Sequence, residues 1–248
     1  MQGPKISIIT VAYNAQNTIE RCINSVFGQK FKNVEYIIID GGSTDNTCGI
    51  IENYREKIDV FISEPDKGIY DAMNKGLALA TGDVIGTINA DDFFADDNVL
   101  YDIARVFSEK NTQILYGDLD YIDPSDKVIR KWRSGRYSRG MFNWGWMPPH
   151  PTFYCKKSLF DKLGVYKLDY GSAGDYELML RFIHLNDIDA YYLNKVLIKM
   201  VVGGVSNKSL GNRVQAMRFD IKAMRNNNIF LPVVTILFKP IRKIAQFF

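Results

Sequence analysis

Short runs of β-branched and aliphatic residues recur through the first hundred positions, at Ile6 to Val11, Val34 to Asp40, Ile58 to Ile62 and Val84 to Asn89. Apolar runs of this length, closed by polar or turn-forming residues, predict strands buried on both faces. Between them the apolar positions fall three or four residues apart, which predicts helices over Thr18 to Gln29, Asp45 to Tyr54, Tyr70 to Ala80 and Asp97 to Glu109. Strand and helix alternating four times imply an α/β fold with a mostly parallel, Rossmann-like sheet, because parallel neighbours need crossover connections and each helix must bury its apolar side. Beyond Asn111 the pattern loosens into strands over Gln113 to Ile122, Val128 to Trp132, Thr152 to Tyr154 and Ala190 to Met200, with helices over Asp175 to His184 and Asn212 to Asn226. This part reads as a small antiparallel extension of the sheet with a C-terminal helical appendage. The long loop Ser134 to Pro151 has the length that is usually functional inside a compact domain. The expected division is 1–110 and 111–209 as two halves of one domain, then 210–248 as a helical tail.

Ligands on open parallel sheets bind beyond the carboxyl ends of the strands. Those exits read Tyr13-Asn14, Asp40-Gly41-Gly42-Ser43, Glu64-Pro65-Asp66-Lys67-Gly68 and Asn89-Ala90-Asp91-Asp92. Helix capping and turns account for Ser43, Thr44, Asp45 and Gly68. They account less well for Asp40, Asp66, Asp91 and Asp92, whose mutual repulsion along one sheet edge calls for a cation or basic neighbours.

Composition changes this picture in two places. With 248 residues, 46% hydrophobic and 24% charged, the chain is an ordinary globular protein, which excludes disorder, collagen and coiled coil. A net charge of +3 gives no argument for nucleic acid or membranes by itself. Its distribution is uneven: residues 83–126 carry eleven carboxylates against Arg105 and Lys110, whereas 127–157 carry eight Lys or Arg and no acid. Such a juxtaposition suits either a site where a cation meets a polyanion or two solvated faces of opposite sign. Cys22, Cys48 and Cys155 form neither a disulfide framework nor a Cys-x-x-Cys pair, and a reducing cytoplasm is expected. No signal peptide is expected at the N-terminus. The longest apolar run, Ile229 to Phe238, is broken by Pro232 and falls below the roughly 20 residues that span a bilayer.

Neither Gly-x-Gly-x-x-Gly nor Gly-x-x-x-x-Gly-Lys-Ser/Thr is present, so a dinucleotide dehydrogenase and a P-loop enzyme are disfavoured. Asp91-Asp92 at a buried strand end can offer one or two hard oxygen ligands to magnesium or manganese, and an ion so held neutralises a diphosphate. On its own such a pair is more often a loop or helix start than a metal site.

The order SIITVAYNAQNTIERCINSVFGQ, IIIDGGSTDNT and SEPDKGIYDAMNKGLALATGDVIGTINADD resembles glycosyltransferase family 2, inverting enzymes of the GT-A fold. EPDKGIYDAMNKG resembles the bacterial members that build O-antigen and capsular polysaccharides. With a weaker match from His150 to Arg181, the resemblance covers roughly three quarters of the chain. It implies that 1–110 is the nucleotide-binding half and 111–209 the acceptor-binding half. It assigns Thr10, Ala12, Tyr13 and Asn14 to the nucleotide, Asp40 to the uracil edge, and Asp66 and Lys67 to the base and phosphates. In the family's Asp-x-Asp element the acids engage the ribose and the metal; here Asn89-Ala90-Asp91-Asp92 puts an amide in place of the first acid. Asp91 and Asp92 remain as ligands for Mn2+ or Mg2+, with His150 as a further one or, alternatively, a satisfied loop histidine. Asp175 matches the family's catalytic base, which would take the proton from the attacking hydroxyl; an acid at a helix start is also an ordinary cap. Many relatives carry an acidic pair there, where this chain has Gly174-Asp175.

Phe142, Trp144 and Trp146 either stack on an acceptor or plug the core. Arg130, Lys131, Arg133, Arg136 and Arg139 either meet the phosphates of a lipid-linked acceptor or form an exposed basic surface, and His184 reads as structural. Gln215 to Phe219 is similar to the Gln-x-x-Arg-Trp element of processive relatives, but Phe219 replaces the tryptophan, so one sugar per encounter is expected. The tail from Ile229 to Phe248, with Lys239, Arg242 and Lys243 and no acid, suits either a lipid headgroup boundary or packing on protein. The expectation is therefore a metal-dependent transfer from a UDP-sugar to a lipid-linked saccharide at the cytoplasmic face of a bacterial inner membrane, with no nucleic-acid partner. A sugar nucleotidyltransferase and a non-catalytic nucleotide-sugar-binding subunit are the alternatives.

Overall fold

The computed structural model describes residues 3–202, 210–244 and 246. The four apolar runs become β1 (Ile6–Ala12), β2 (Val34–Asp40), β3 (Val60–Ser63) and β4 (Val84–Asn89), all parallel in the order β3-β2-β1-β4. Successive side chains point to opposite faces. Ile6 and Ile8 join a layer with α1 (Ile19–Phe27), α2 (Thr47–Glu52) and α4 (Val99–Glu109), while Ile9 and Val11 join a layer with α3 (Ile69–Leu79). Burial on both faces is why β1, β2 and β4 are nearly continuous hydrophobic runs in the sequence, while β3, at the edge of the sheet, is only partly buried. Register pairs Ala12 with Asp40, Asp40 with Ser63 and Val11 with Asn89, so all four carboxyl ends finish at one edge.

Beyond β4 the sheet continues with β8 (Tyr154–Lys156), β6 (Ile114–Ile122), β9 (Ala190–Val201) and β5 (Asp92–Phe94), and β7 (Val128–Trp132) pairs with β6 as a hairpin. This part is mixed. β8 runs antiparallel to β4 and β6, and β5 antiparallel to β9, but β6 and β9 are parallel, joined by a long crossover that includes α5 (Lys157–Leu163) and α6 (Gly174–Met179). The expected antiparallel extension is corrected in that respect, and α5 was not foreseen. The helix expected over Asp175 to His184 is α6 followed by a π-helical turn, Leu180–Leu185. The strand expected from Thr152 begins later, because His150–Thr152 form a 3-10 turn.

The tail forms α7 (Leu210–Asn226) and α8 (Pro232–Ile244). Ala223, Met224, Ile229 and Ile236 enter the same apolar layer as α3 and α6. α8 is fastened by Thr235 Oγ1 donating to Asn143 O at 2.7 Å and by an ion pair between Lys239 and Asp220 at 2.7 Å. Phe142 and Trp146 are buried, which decides their role as core, while Trp144 is exposed and packs edge-on against Phe238. The boundary expected at residue 209, the side chain of Lys243 and residues 245, 247 and 248 lie outside what is described. Among the described residues no helix is long and apolar enough to cross a membrane.

Candidate active site

The first two strand exits are knitted to each other. Asn14, at φ +49°, donates its N–H to Ser43 Oγ at 2.8 Å and accepts at Oδ1 from Thr44 N at 2.9 Å. Ala15 N donates to Thr47 Oγ1, and Gln16 exchanges bonds with Asp45 and Asn46. These contacts leave the Tyr13 ring 65% exposed at the sheet edge. Asp40 is fully buried, and its carboxylate accepts from Gly42 N, Ser43 N, Ser43 Oγ, Cys48 Sγ and Ser63 Oγ. Burial pushes its carboxyl up, but those bonds outweigh it and hold the group below the usual carboxylate range. Asp40 therefore shapes its loop, with its acceptor sites filled by the chain itself. Asp66 lies beside it: a Cβ added to Gly41 would collide with the Asp66 carboxylate, and Asp66 Oδ1 accepts from Gly68 N at 2.7 Å. Lys67 is exposed, with its N–H donating to Asp71 Oδ2 at 3.0 Å.

Two residues expected at the nucleotide, Thr10 and Ala12, turn their side chains away from the strand-end cleft. Alternation turns Thr10 and Ala12 onto the face covered by α1; both are buried, and Thr10 Oγ1 is 3.0 Å from Tyr36 Oη.

At the fourth exit Asp91 is exposed yet walled by protein, and this partial desolvation pushes its carboxyl up. Asp92 is buried in β5, where burial and then the Asp91 charge push it well above the usual range. Asn89 Nδ2 donates to Asp92 Oδ2 at 3.1 Å, leaving Asn89 Oδ1 and Asp92 Oδ1 buried without a protein partner. Unpartnered buried oxygens at an acidic strand end fit a hard cation. No three His, Cys, Asp or Glu side chains among the described residues converge into a complete metal cage. One or two carboxylates with phosphate oxygens completing the shell is the arrangement Mg2+ ordinarily takes. His150 is not part of such a set: it is buried, its Nε2 lies 2.8 Å from Tyr166 Oη, and burial pushes the imidazole down against the opposing charge of Asp175.

Asp175 opens α6. Its Oδ1 accepts from Tyr176 N at 2.7 Å and from Tyr70 Oη at 3.0 Å. Tyr70 was missed in the sequence, although it stands inside the quoted GIYDAMNKG. Its ring stacks on Tyr166 at 5.6 Å and lies against Gly174, where an added Cβ would strike it. That close approach leaves no room for a side chain at position 174 while the Tyr70 ring stays in place. Glu177, two residues along, is fully buried between Arg181 and Lys167, and Arg181 also donates to the carbonyls of Leu163, Gly164 and Val165. This pairing seats α6 on the end of α5.

Asp175 lines two cavities. One, of about 210 Å³, is shared with Tyr70, Asn89, Met147, His150 and Met200. The other, of about 990 Å³, is lined by Lys131, Arg133, Arg213 and Arg242 and by apolar residues that include Trp132 and Leu237. Asn89 and Asp175, far apart in sequence, thus face one space, with Asp91 and Asp92 following Asn89 at the same strand end.

The fold recurs in known proteins. Staphylococcus aureus TarS 1-349, solved in complex with UDP-GlcNAc, superposes with a TM-score of 0.71 at 19% identity over 95% of this chain and 70% of that one. The mannosyltransferase PcManGT from Pyrobaculum calidifontis, solved with GDP-Man and Mn2+, gives 0.68 at 16% identity over 97% and 73%. The fold is thus GT-A. An uncharacterised glycosyltransferase of Mycobacterium tuberculosis (strain CDC 1551 / Oshkosh) is 32% identical over 189 residues, 72% of this chain and 69% of its own. A PGL/p-HBAD biosynthesis glycosyltransferase of Mycobacterium bovis (strain BCG / Pasteur 1173P2) is 27% identical over 217 residues, 84% and 81%. The model of glycosyl transferase family 2 matches residues 7–166, and with that span taking in all four strand exits and the acidic turn, the chain belongs to this family.

Proposed function

We propose that the protein is an inverting, metal-dependent glycosyltransferase that moves a sugar from a UDP-sugar to a hydroxyl of a lipid-linked saccharide. The observation that carries this reading is the place of Asp175, on the wall common to a cavity of about 210 Å³ and one of about 990 Å³. The smaller takes the donor sugar and the larger the acceptor. Asp175 Oδ2, which makes no protein hydrogen bond among the described residues, takes the proton from the attacking hydroxyl. Asp175 is the single carboxylate in the lining of the smaller cavity, which favours direct displacement over a glycosyl-enzyme intermediate needing a second, nucleophilic one.

Tyr13, Asp66 and Lys67 form the base and phosphate side of the donor site, on either side of the loop that Asp40 braces. Asp91, with Asp92 behind it, would hold Mn2+ or Mg2+, and Asn89 keeps the pair in place through its amide. An ion bound there neutralises the departing diphosphate. UDP is favoured by the UDP-GlcNAc complex of TarS and Mn2+ by that of PcManGT.

An anionic amphiphile suits the larger cavity, whose cations Lys131, Arg213 and Arg242 stand beside Trp132 and Leu237. Next to it α8 turns Val233, Leu237 and Ile241 outward, a stripe at helical spacing that, with the exposed Phe230 just before the helix, suits the headgroup boundary of the inner membrane's cytoplasmic face. Sedimentation with anionic vesicles is expected to fall at least tenfold in Leu237→Asp, and undiminished sedimentation would remove this contact.

The test of the function is UDP release from a panel of UDP-sugars with Mn2+. One donor is expected to be cleaved, and Asp175→Asn is expected to retain UDP binding while turnover drops by about a hundredfold or more. Near-normal turnover of that variant would take the base role from Asp175. No cleavage of any donor would favour a nucleotide-sugar-binding subunit.

A further inference from the structure

We propose that Tyr70 is the positioning residue that aims Asp175, holding one carboxylate oxygen so that the other is presented to the acceptor hydroxyl. This rests on Asp175 being the base and adds a residue that neither the family match nor the relatives' names assign.

A carboxylate at a helix start has a free torsion about its own side chain, and a base that rotates away from the reacting proton loses the benefit of its position. Here the torsion is fixed from two sides. Tyr176 N and Tyr70 Oη both donate to Oδ1, at 2.7 and 3.0 Å. Burial, and then the Asp175 charge, push the Tyr70 hydroxyl well above its ordinary range, so it remains a donor at neutral pH. Ser172 O is the competing acceptor at 3.3 Å, and the shorter, charge-assisted bond to Asp175 is favoured.

The tyrosine is itself held. Its ring stacks on Tyr166 with planes 20° apart. Asn74, one turn further along α3, clamps the Tyr166 backbone with two bonds, Asn74 Nδ2 to Tyr166 O at 2.8 Å and Tyr166 N to Asn74 Oδ1 at 3.0 Å. His150 Nε2 is 2.8 Å from Tyr166 Oη. The absent side chain at Gly174 lets the ring reach the base. A helix that begins at the donor-side loop thus carries its second residue to the base, so the two cavities are aligned through one phenol.

Tyr70→Phe keeps the ring and removes only the donor. With the UDP-sugar that the panel above cleaves fastest, kcat is expected to fall by about tenfold while the donor KM and the thermal midpoint stay within error of the wild type. In the Asp175→Asn background the same change is expected to cost nothing further, because the two residues act as a unit. Unchanged kcat in the single variant, or an equal loss in both backgrounds, would overturn the proposal. If Asp175→Asn is inactive while Tyr70→Phe is normal, only the positioning role falls; if Asp175→Asn is normal, the base falls and this role with it. A crystal structure of Tyr70→Phe gives a readout apart from turnover: a carboxylate still seated on Tyr176 N in its original rotamer would also overturn it.

Discussion

In the half built on β1 to β4, neighbouring loops are tied by short polar side chains reaching a backbone N–H a few ångströms away: Asn14 to Thr44, Thr47 to Ala15, Asp40 to Gly42 and Ser43. In the half built on β6, β8 and β9, the ties around the base are heavier. A buried glutamate holds two cations, and an aromatic ring reaches across to a carboxylate. The halves also bury their glutamates differently. Glu35 in β2 is met by Ser7, the Thr81 hydroxyl and backbone and Lys5, whereas Glu177 is met by Arg181 and Lys167. Around Glu35 the only charged donor is the half-buried Lys5, and the neutral ones grip the carboxylate with modest energy each, while the desolvated Glu177–Arg181 pair is costly to break from one side. A donor site of many small bonds tolerates the loss of one, but the base sits on a helix whose seat depends on one charge.

Removing that charge should be the largest effect. Glu177→Ala leaves Arg181 and Lys167 facing a cavity, and losing one partner of a buried pair costs about 3–5 kcal/mol. For a chain of this size that lowers the midpoint by roughly 6–20 °C. Thermal unfolding followed by circular dichroism checks it. A shift under 2 °C would show that the carbonyls of Leu163, Gly164 and Val165 suffice to hold Arg181, and the contrast between the halves would collapse.

Glu35 predicts a smaller, pH-dependent effect. Burial raises its carboxyl, but bonds from Ser7, Thr81 and Lys5 prevail and bring it from 4.5 to about 2. Because the folded state binds this proton less readily than the unfolded one, the stabilisation is full above about pH 4.5 and disappears as pH falls toward 2. Glu35→Gln should therefore cost about 1.5–3 kcal/mol at neutral pH and nothing near pH 2. Urea midpoints measured from pH 7 to pH 2 read this directly, and parallel curves for the two proteins would refute it.

What could be read from the sequence follows the same division. β1 to β4 and the exits at Asp40, Asp66 and Asp91 are written locally, since each strand and the turn after it are contiguous and register alone brings them to one edge. The face that the Thr10 side chain takes was not legible, because a strand buried on both faces gives no sign of it; alternation sends it to α1. The Tyr70–Asp175 bond joins positions 105 residues apart, and a tyrosine at a helix start carries no mark of its partner. Glu177 looked like any acid in a first turn, and its burial became visible only once α5 was in place. The parallel pairing of β6 with β9 was hidden for a related reason: neither run carries a mark of its direction, which is set by the crossover that lies between them.

The smallest effect tests the lighter half. Asn14→Gly keeps the left-handed backbone at φ +49°, which glycine adopts freely, and deletes only the side-chain bonds to Thr44. One neutral bond is worth about 0.5–1 kcal/mol. If the Tyr13 and Ser43 loops are held by many equal ties, stability should move by no more than that, and UDP affinity by about two- to fivefold, as titration calorimetry would register. A loss of a hundredfold would mean that Asn14 touches the nucleotide itself, and the loop would then be a binding surface rather than a brace. Asn14→Ala separates the two outcomes further. It adds the strain of a left-handed alanine to the same lost bond, so a brace predicts a lower midpoint than for Asn14→Gly, whereas a direct contact predicts the same loss of affinity in both.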